Sequence, residues 1–176
     1  DLHYHKAFLF MLLTGLRPGE CLGLKWSDID QDTFTIRRAV NQDGIITEGK
    51  NKNAKRVIPI SPTLSQILDA QKVNTRHLNS EWVFCNTVGG MGSQRTMKEH
   101  LGILKKERNL NCCLYSFRHT FVSLVKNTLP ENTIKQLVGH SAAMTTFETY
   151  GHLVDGELQQ TAKLIDLTFK NIAEIK

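Results

Sequence analysis

The stretch "AFLFMLLTGLRPGECLGLKW", residues 7–26, decides how the rest of the chain can be arranged. Its apolar first half is about half as long as the roughly 20 residues that span a bilayer, so it predicts a helix buried in a folded domain. Gly15 is expected to end this helix, and Pro18 is well placed to begin the next one, with Glu20 in its first turn. Arg17 therefore lies at a helix start, where unpaired backbone N–H groups carry partial positive charge.

The pattern changes between residues 26 and 60 to short segments that alternate or contain β-branched residues: "WSDID", "TFTIRRAV", "GIITEG" and "KRVIPI". Turn-forming stretches separate these segments, which predicts a small antiparallel sheet. Helical patterns return after Ser61 or Thr63, either of which can cap the next helix, with breaks at "NLNCC", Pro130 and Gly139. The predicted fold class is α+β, mostly helical with a small antiparallel β-sheet.

The end of the chain predicts an amphipathic helix. Its apolar residues recur at helical spacing and share one face: Leu158, Ala162, Ile165, Phe169 and Ile172. At 176 residues the chain is most consistent with one domain, with enough buried surface to fold without covalent crosslinks.

The charge and the cysteine content limit which functions are possible. The net charge is +5, which by itself is weak evidence for an anionic partner. The basic stretch "KNKNAKR", residues 50–56, suits a phosphate backbone, although a solvated basic face is the alternative. The cysteines show no metal-type or paired-disulfide spacing, which predicts reduced thiols in a cytoplasmic protein; they are Cys21, Cys85, Cys112 and Cys113.

Two arginines admit both a structural and a functional interpretation. Arg17 can form a plain surface pair with Glu20, or it can grip two oxygens of a phosphate. Arg118 lies between Phe117 and Phe121 in a pattern typical of a half-buried helix. An arginine in that setting needs either an anionic ligand or an internal carboxylate.

The remaining candidates are equally open when taken singly. Lys50 and Lys52 lie on or near a turn, where a lysine is usually solvated but can also give a proton to a departing alkoxide. Gly139 is expected to end a helix and to present His140 at a corner. Tyr150 follows on a segment containing three threonines, which weaken helices, so it is either a core aromatic or a nucleophile on a movable segment.

The order of these pieces is more specific than any one of them. "TGLRPGE", "YSFRHTF" and "LVGHSAAMTTFETYGH", with the hairpin after the first, resemble the catalytic domain of the tyrosine recombinases, the phage-type integrases. The resemblance implies a catalytic domain over residues 1–152 and a C-terminal helical segment over residues 153–176, which packs on its own domain or on a neighbouring protomer. It also implies that the family's N-terminal DNA-binding domain is absent from this chain.

The resemblance assigns a role to each matching position. Tyr150 would cut one DNA strand, forming a 3′-phosphotyrosyl bond and freeing a 5′-hydroxyl. Arg17 and Arg118 would clamp the non-bridging oxygens, and His140 would hydrogen-bond the same phosphate. Lys50 best matches the family's general acid.

Other positions would support this centre. Lys52 is the second choice for the general acid, and Glu20 and His119 are supporting residues. The candidates for DNA contact are the basic residues of the same turn: Lys52, Lys55 and Arg56. Because the attack conserves bond energy, the resemblance implies that neither a metal nor a cofactor is required.

One position departs from the family pattern. The second arginine motif usually begins with histidine, and Tyr115 stands there instead. An imidazole exchanges protons near neutral pH, whereas a phenol with a pKa near 10 does so hardly at all. We therefore expect Tyr115 to donate a hydrogen bond to the phosphate or to Tyr150 rather than to act as a base.

The expected partner is double-stranded DNA. The protein is expected to form a homotetramer on DNA and to be a monomer without it. An accessory DNA-bending protein is an optional partner, and no membrane is involved. The leading hypothesis is the integrase of a bacterial mobile element. Two alternatives keep the chemistry: a chromosomal recombinase that resolves replicon dimers, and a topoisomerase-like nicking and closing enzyme. A third, from another class, is a DNA-binding module without catalysis.

Substitutions at Tyr115 test its assigned role. We expect Tyr115→Phe to slow DNA cleavage modestly, because one hydrogen bond is lost, and Tyr115→His to leave cleavage equal or faster. Single-turnover cleavage rates measure both. A Tyr115→Phe variant as inert as Tyr150→Phe would refute this division of roles.

Overall fold

The computed structural model describes residues 3–48, 55–139 and 155–174, and it confirms the mostly helical α+β class. The helices of this described part are α1 (His5–Thr14), α2 (Pro18–Leu22), α3 (Pro62–Thr75), α4 (Gln94–Arg108), α5 (Leu114–Val125), α6 (Glu131–Val138) and α7 (Asp155–Glu174). The strands are β1 (Thr33–Ile36), β2 (Arg38–Val40), β3 (Ile46–Glu48) and β4 (Arg56–Pro59).

Helix α1 is the buried helix that the sequence predicts. It contacts α2, α3 and α5, and Phe10 and Met11 are completely buried in the core. The helix ends at Gly15, whose left-handed backbone (φ 66°) lets its N–H donate to the carbonyl of Met11 at 2.9 Å. Glycine adopts this conformation without the steric cost that a Cβ brings. Pro18 then begins α2, also as predicted.

The β region differs from the prediction in two ways. "WSDID" is not a strand: Trp26–Asp28 forms a 3₁₀ helix, because the buried carboxylate of Asp28 accepts the backbone N–H of Lys25 at 3.0 Å and closes a turn. Such local side-chain bonds compete with sheet formation. The strands also form two separate antiparallel pairs, β1 with β4 and β2 with β3, instead of one sheet.

A break at one residue divides the two pairs. Arg37 lies between β1 and β2, outside both strands, and its Nε lies 3.1 Å from Oδ1 of Asp28. The inner pair β2–β3 therefore forms a hairpin of its own, while the outer pair holds Phe34 opposite Ile58 in the core. This arrangement brings β4 back towards the first helices.

The C-terminal helix packs on this chain along its apolar face. Leu158, Ala162 and Ile165 are buried, and the rings of Phe169 and Phe121 lie 6.3 Å apart. The cap expected at Ser61 is also present, since its hydroxyl accepts the N–H of Leu64 at 3.3 Å. Packing of residues 153–176 on a neighbouring protomer stays a prediction.

Two further observations bear on the sequence predictions. All four cysteines are free thiols, as their spacing predicts. Across the described residues, no helix is both long enough and apolar enough to cross a membrane.

The packing around Gly15 yields a stability prediction. A Cβ at Gly15 would lie 2.5 Å from a ring carbon of Phe121, whereas a Cβ at Gly44, which also has a positive φ (78°), meets no atom within 4 Å. We expect Gly44→Ala to cost about 1 kcal/mol of backbone strain, and Gly15→Ala to cost about 1–3 kcal/mol more because of overpacking. Urea unfolding of both variants measures the difference. Equal costs would show that Phe121 does not confine this turn.

Candidate active site

Arg17 lies at the junction of α1 and α2 with one side of its guanidinium held. Its backbone N–H donates to Oε2 of Glu20 at 2.9 Å, and its Nη1 donates to Oε1 of Glu20 at 3.1 Å. The Arg17 side chain is 41% exposed, while that of Glu20 is only 9% exposed. The Arg17–Glu20 pair is therefore not a plain surface contact, because it is anchored on a buried carboxylate while the guanidinium stays accessible from solvent.

Glu20 binds a second guanidinium, that of Arg56. Arg56 Nη1 donates to Oε1 at 3.0 Å and Nη2 donates to Oε2 at 2.8 Å, and both side chains are 9% exposed. Burial alone would raise the pKa of Glu20, but the hydrogen bonds and charge of Arg56, aided by Arg17, hold it below its ordinary value. Glu20 is therefore an ionised, fully engaged carboxylate at neutral pH.

The side chain of Arg118, which is in α5, also lies at the junction of α1 and α2. It is 6% exposed, and its Nη1 donates to the carbonyl of Gly15 at 2.9 Å. Its Nη2 has no hydrogen-bond partner among the described residues, and none of their carboxylates lies within ion-pair distance of it. Burial, reinforced by repulsion from Arg17, lowers the pKa of Arg118 to about 10.

The three guanidiniums and the one carboxylate form a cluster with an excess of positive charge. Arg17 and Arg56 both donate to Glu20, and the charges of all three groups lie close enough to Arg118 to influence its pKa. A buried cation whose N–H donor has no acceptor costs free energy unless an anion binds to it. The cluster can therefore bind an anion, and the planar guanidinium suits the paired oxygens of a phosphate.

The two tyrosines that the structure describes differ sharply in their surroundings. Tyr4 is 1% exposed, and burial raises its pKa to about 12. Tyr115 is 50% exposed on α5, one helical turn before Arg118, and it lines a groove with Pro18 and Lys105. Tyr4 is thus a core residue, whereas Tyr115 is accessible from solvent. His119, expected to support the site, is exposed on the same helix.

Four predicted site residues lie outside the described residues: Lys50, Lys52, His140 and Tyr150. The described chain does flank them closely. Strand β3 ends before the two lysines and β4 follows them at Arg56, while α6 ends one residue before Gly139. Lys55 is exposed beside β4. Within the described residues, no group of histidine, cysteine or acidic side chains is arranged to hold a metal ion.

Sequence reasoning missed the role of Arg56, which it treated as a DNA-contact candidate. The structure instead directs its side chain to Glu20 and to the carbonyl of Leu137, which accepts from Nε at 2.8 Å. A signal for this was present in the strand pattern, because residues two apart share a face. Arg56 shares the face of the buried Ile58, while Val57 between them is 43% exposed.

The chain is similar to known proteins in both sequence and fold. The model of the Phage integrase family matches residues 1–157. A "Tyrosine recombinase XerC-like" protein of Caldanaerobacter subterraneus subsp. tengcongensis is 30% identical over 86% of this chain and 46% of its own length. The "ICEBs1 integrase" of Bacillus subtilis is 29% identical over 94% of this chain and 49% of its own. The chain thus spans about half the length of these relatives.

Solved structures share the fold. The Tn1549 transposon integrase in complex with circular intermediate DNA superposes with a TM-score of 0.72 at 21% identity, over 91% of this chain and 59% of that one. The lambda integrase catalytic core gives a TM-score of 0.62 at 19% identity, over 78% of this chain and 80% of that one.

The buried carboxylate generates a prediction for stability and pH. We expect Glu20→Gln to destabilise the fold by about 3 kcal/mol at pH 7, because it leaves buried guanidinium charge uncompensated. The folded pKa of Glu20 lies below its ordinary value of 4.5, so its charge stabilises the fold above pH 4.5 and this stabilisation is lost as pH falls through the folded pKa. The gap between wild type and variant should therefore shrink on acidification, as measured by urea unfolding across pH.

Glu81→Gln is the matched control. Glu81 also pairs with a cation, Lys25, but its side chain is 60% exposed, so its loss should cost well under 1 kcal/mol. A Glu20→Gln variant no less stable than Glu81→Gln would contradict the importance of the buried carboxylate.

Proposed function

The chain belongs to the phage integrase family, and from that membership we propose that it is the catalytic part of a site-specific DNA recombinase. In this proposal Tyr150 cleaves one strand through a 3′-phosphotyrosyl intermediate, and the same chemistry run backwards joins the new strand. The observation that carries the proposal is Arg118: a buried guanidinium with an N–H donor that no described residue accepts, beside the accessible Arg17.

The phosphate-binding step follows from the cluster. A scissile phosphodiester carries one negative charge, and Arg17 and Arg118 offer it donors in a partly dehydrated place, where a charged hydrogen bond is stronger than in water. Even with its pKa lowered to about 10, Arg118 stays protonated at neutral pH. Glu20 lowers the positive charge without occupying the free donor of Arg118.

The cleavage step is a transesterification. The Tyr150 hydroxyl loses its proton to solvent as its oxygen forms a bond to phosphorus, the bond from phosphorus to the 5′ oxygen breaks, and the leaving oxygen takes a proton. Lys50 is our choice for that proton, with Lys52 as the second, and His140 hydrogen-bonds the phosphate. Because a phenol is largely protonated at pH 7, the rate depends on stabilising the charge that develops on the phosphoryl oxygens.

The surroundings of Tyr4 and Tyr115 limit which tyrosine can be the nucleophile. Tyr4 is excluded by its burial and its pKa of about 12. Tyr115 is accessible and lies one turn from Arg118, which suits a hydrogen bond to the phosphate. Tyr115 and Tyr150 are therefore the two tyrosines that an experiment has to compare.

Double-stranded DNA is the proposed substrate. The transposon integrase with the same fold is in complex with circular intermediate DNA, and a relative named an integrase matches most of this chain, which supports an origin in a mobile element. The active assembly that we propose is a homotetramer on DNA, with monomers in its absence and an accessory DNA-bending protein as an optional partner.

Covalent capture tests the proposal on the complete protein. A library of nicked duplexes with randomised sequence is incubated with wild type, and adducts that survive denaturant are recovered and sequenced. We expect an adduct with wild type and Tyr115→Phe, none with Tyr150→Phe, and roughly 100- to 1,000-fold slower capture with Arg118→Lys, because one oxyanion donor is lost.

The controls separate catalysis from binding. Gel-shift measurements on the captured sequence should show that Tyr150→Phe still binds DNA. An adduct that persists in Tyr150→Phe would move the nucleophile elsewhere. A wild-type protein that binds duplexes and never forms an adduct would identify a DNA-binding module instead of a recombinase.

A further inference from the structure

The guanidinium of Arg56 connects three chain segments, each of which adjoins a different proposed catalytic residue. Arg56 begins β4, six residues after Lys50 in the sequence. Its Nη1 and Nη2 donate to the carboxylate of Glu20, in the helix that follows Arg17. Its Nε donates to the carbonyl of Leu137, at the end of α6.

The contact with α6 is more than one hydrogen bond. Leu137 contributes one of the last carbonyls of the helix, which have no partner within the helix and carry partial negative charge. Gly139 has a positive φ of 69°, and a Cβ there would lie 3.0 Å from Nη1 and 3.2 Å from Cζ of Arg56. The turn that ends α6 therefore packs directly on the guanidinium of Arg56.

Arg17 is tied to the same turn. Its Nη2 donates to the carbonyl of Gly139 at 3.4 Å, while its Nη1 and backbone N–H are held by Glu20. The residue after Gly139 in the sequence is His140. One guanidinium thus fixes the carboxylate that orients Arg17 and the turn that leads into His140.

We propose that Arg56 is a positioning residue for the recombinase reaction, acting through Glu20 on Arg17 and through Leu137 and Gly139 on the turn before His140. This inference rests on the proposed function. Arg56 itself does not touch the phosphate, because its side chain is 9% exposed and each of its terminal nitrogens already donates to Glu20.

Lysine cannot replace this arginine. The planar guanidinium donates from three nitrogens in fixed directions, whereas an ammonium is a single point on a flexible stem. Arg56→Lys therefore keeps the charge near Glu20 but loses the simultaneous bond to Leu137 and the flat surface under Gly139. The expected loss is one of geometry and not of charge.

Arg38→Lys is the matched control. Arg38 also donates both terminal nitrogens to a buried carboxylate, that of Asp28, and its third contact is likewise a backbone carbonyl, that of Gly23. Its pair lies outside the cluster around Arg118. The two substitutions thus remove the same kind of interaction at two places, and a general loss of stability would affect both.

The first measurement separates binding from chemistry in the complete protein, using the duplex captured by wild type. We expect Arg56→Lys to bind this duplex as wild type does and to form the adduct roughly 100-fold more slowly, since small displacements of reacting groups cost about that much. Arg38→Lys should bind and react at the wild-type rate. Equal adduct rates for the two variants would overturn the proposal.

The second measurement needs no activity. Amide hydrogen exchange should accelerate in Arg56→Lys at Arg17, whose N–H is bonded to Glu20, and at Gly139, whose N–H is bonded to the carbonyl of Lys135 at 2.9 Å. Neither amide should change in Arg38→Lys. Unchanged exchange at both sites in Arg56→Lys would also overturn the inference.

These outcomes remain distinct from the failure of the proposed function. A wild-type protein without an adduct refutes the recombinase, while the exchange pattern still decides whether Arg56 holds Arg17 and the α6 turn. If Arg56→Lys does not fold, Arg56→Gln, which keeps an N–H donor, takes its place in both measurements. Failure of both variants to fold would assign Arg56 to the stability of the domain and overturn a positioning role.

Discussion

The structure depends on one buried carboxylate, that of Glu20, which accepts hydrogen bonds from two guanidiniums. A lone carboxylate at this depth would be protonated or excluded from the core, and Arg56 and Arg17 together keep it ionised. In return it fixes the backbone and one side-chain nitrogen of Arg17 at the start of α2. Because Arg56 comes from β4, the same interaction joins the β1–β4 pair to the first helices.

The positive charges of this cluster outnumber its negative charges. Three guanidiniums face one carboxylate, and Arg118 loses part of its proton affinity to burial and to repulsion from Arg17. Such an arrangement costs stability in the free protein, and binding of an anion would relieve that cost. Sites that violate the rule of satisfied buried groups are where function is expected. The cluster therefore links the stability of the domain to the binding of its proposed substrate.

Local rules accounted for most helices and for three of the four predicted strand segments, but they failed at "WSDID". Gly15, Pro18 and Ser61 set helix boundaries through backbone conformation and capping, which depend on neighbours in sequence, so these predictions were confirmed. "WSDID" alternates like a strand, yet the bond from Asp28 to its own turn prevails, and this carboxylate also binds Arg37 and Arg38. Alternation of polar and apolar residues is therefore not enough to predict a strand in a short segment whose carboxylate can accept a hydrogen bond from its own backbone.

The sequence by itself determined the family, the α+β class and the identity of the candidate residues, because motifs and helix signals are local patterns of side chains. Tertiary structure decided the partners. In the sequence Arg56 looks like any other cation of a basic stretch, and only the return of β4 past α2 and α6 brings it to Glu20, 36 residues away, and to Leu137, 81 residues away. The free donor of Arg118 is likewise visible only after folding, since hydrogen-bond satisfaction depends on which groups the packed core brings within about 3 Å.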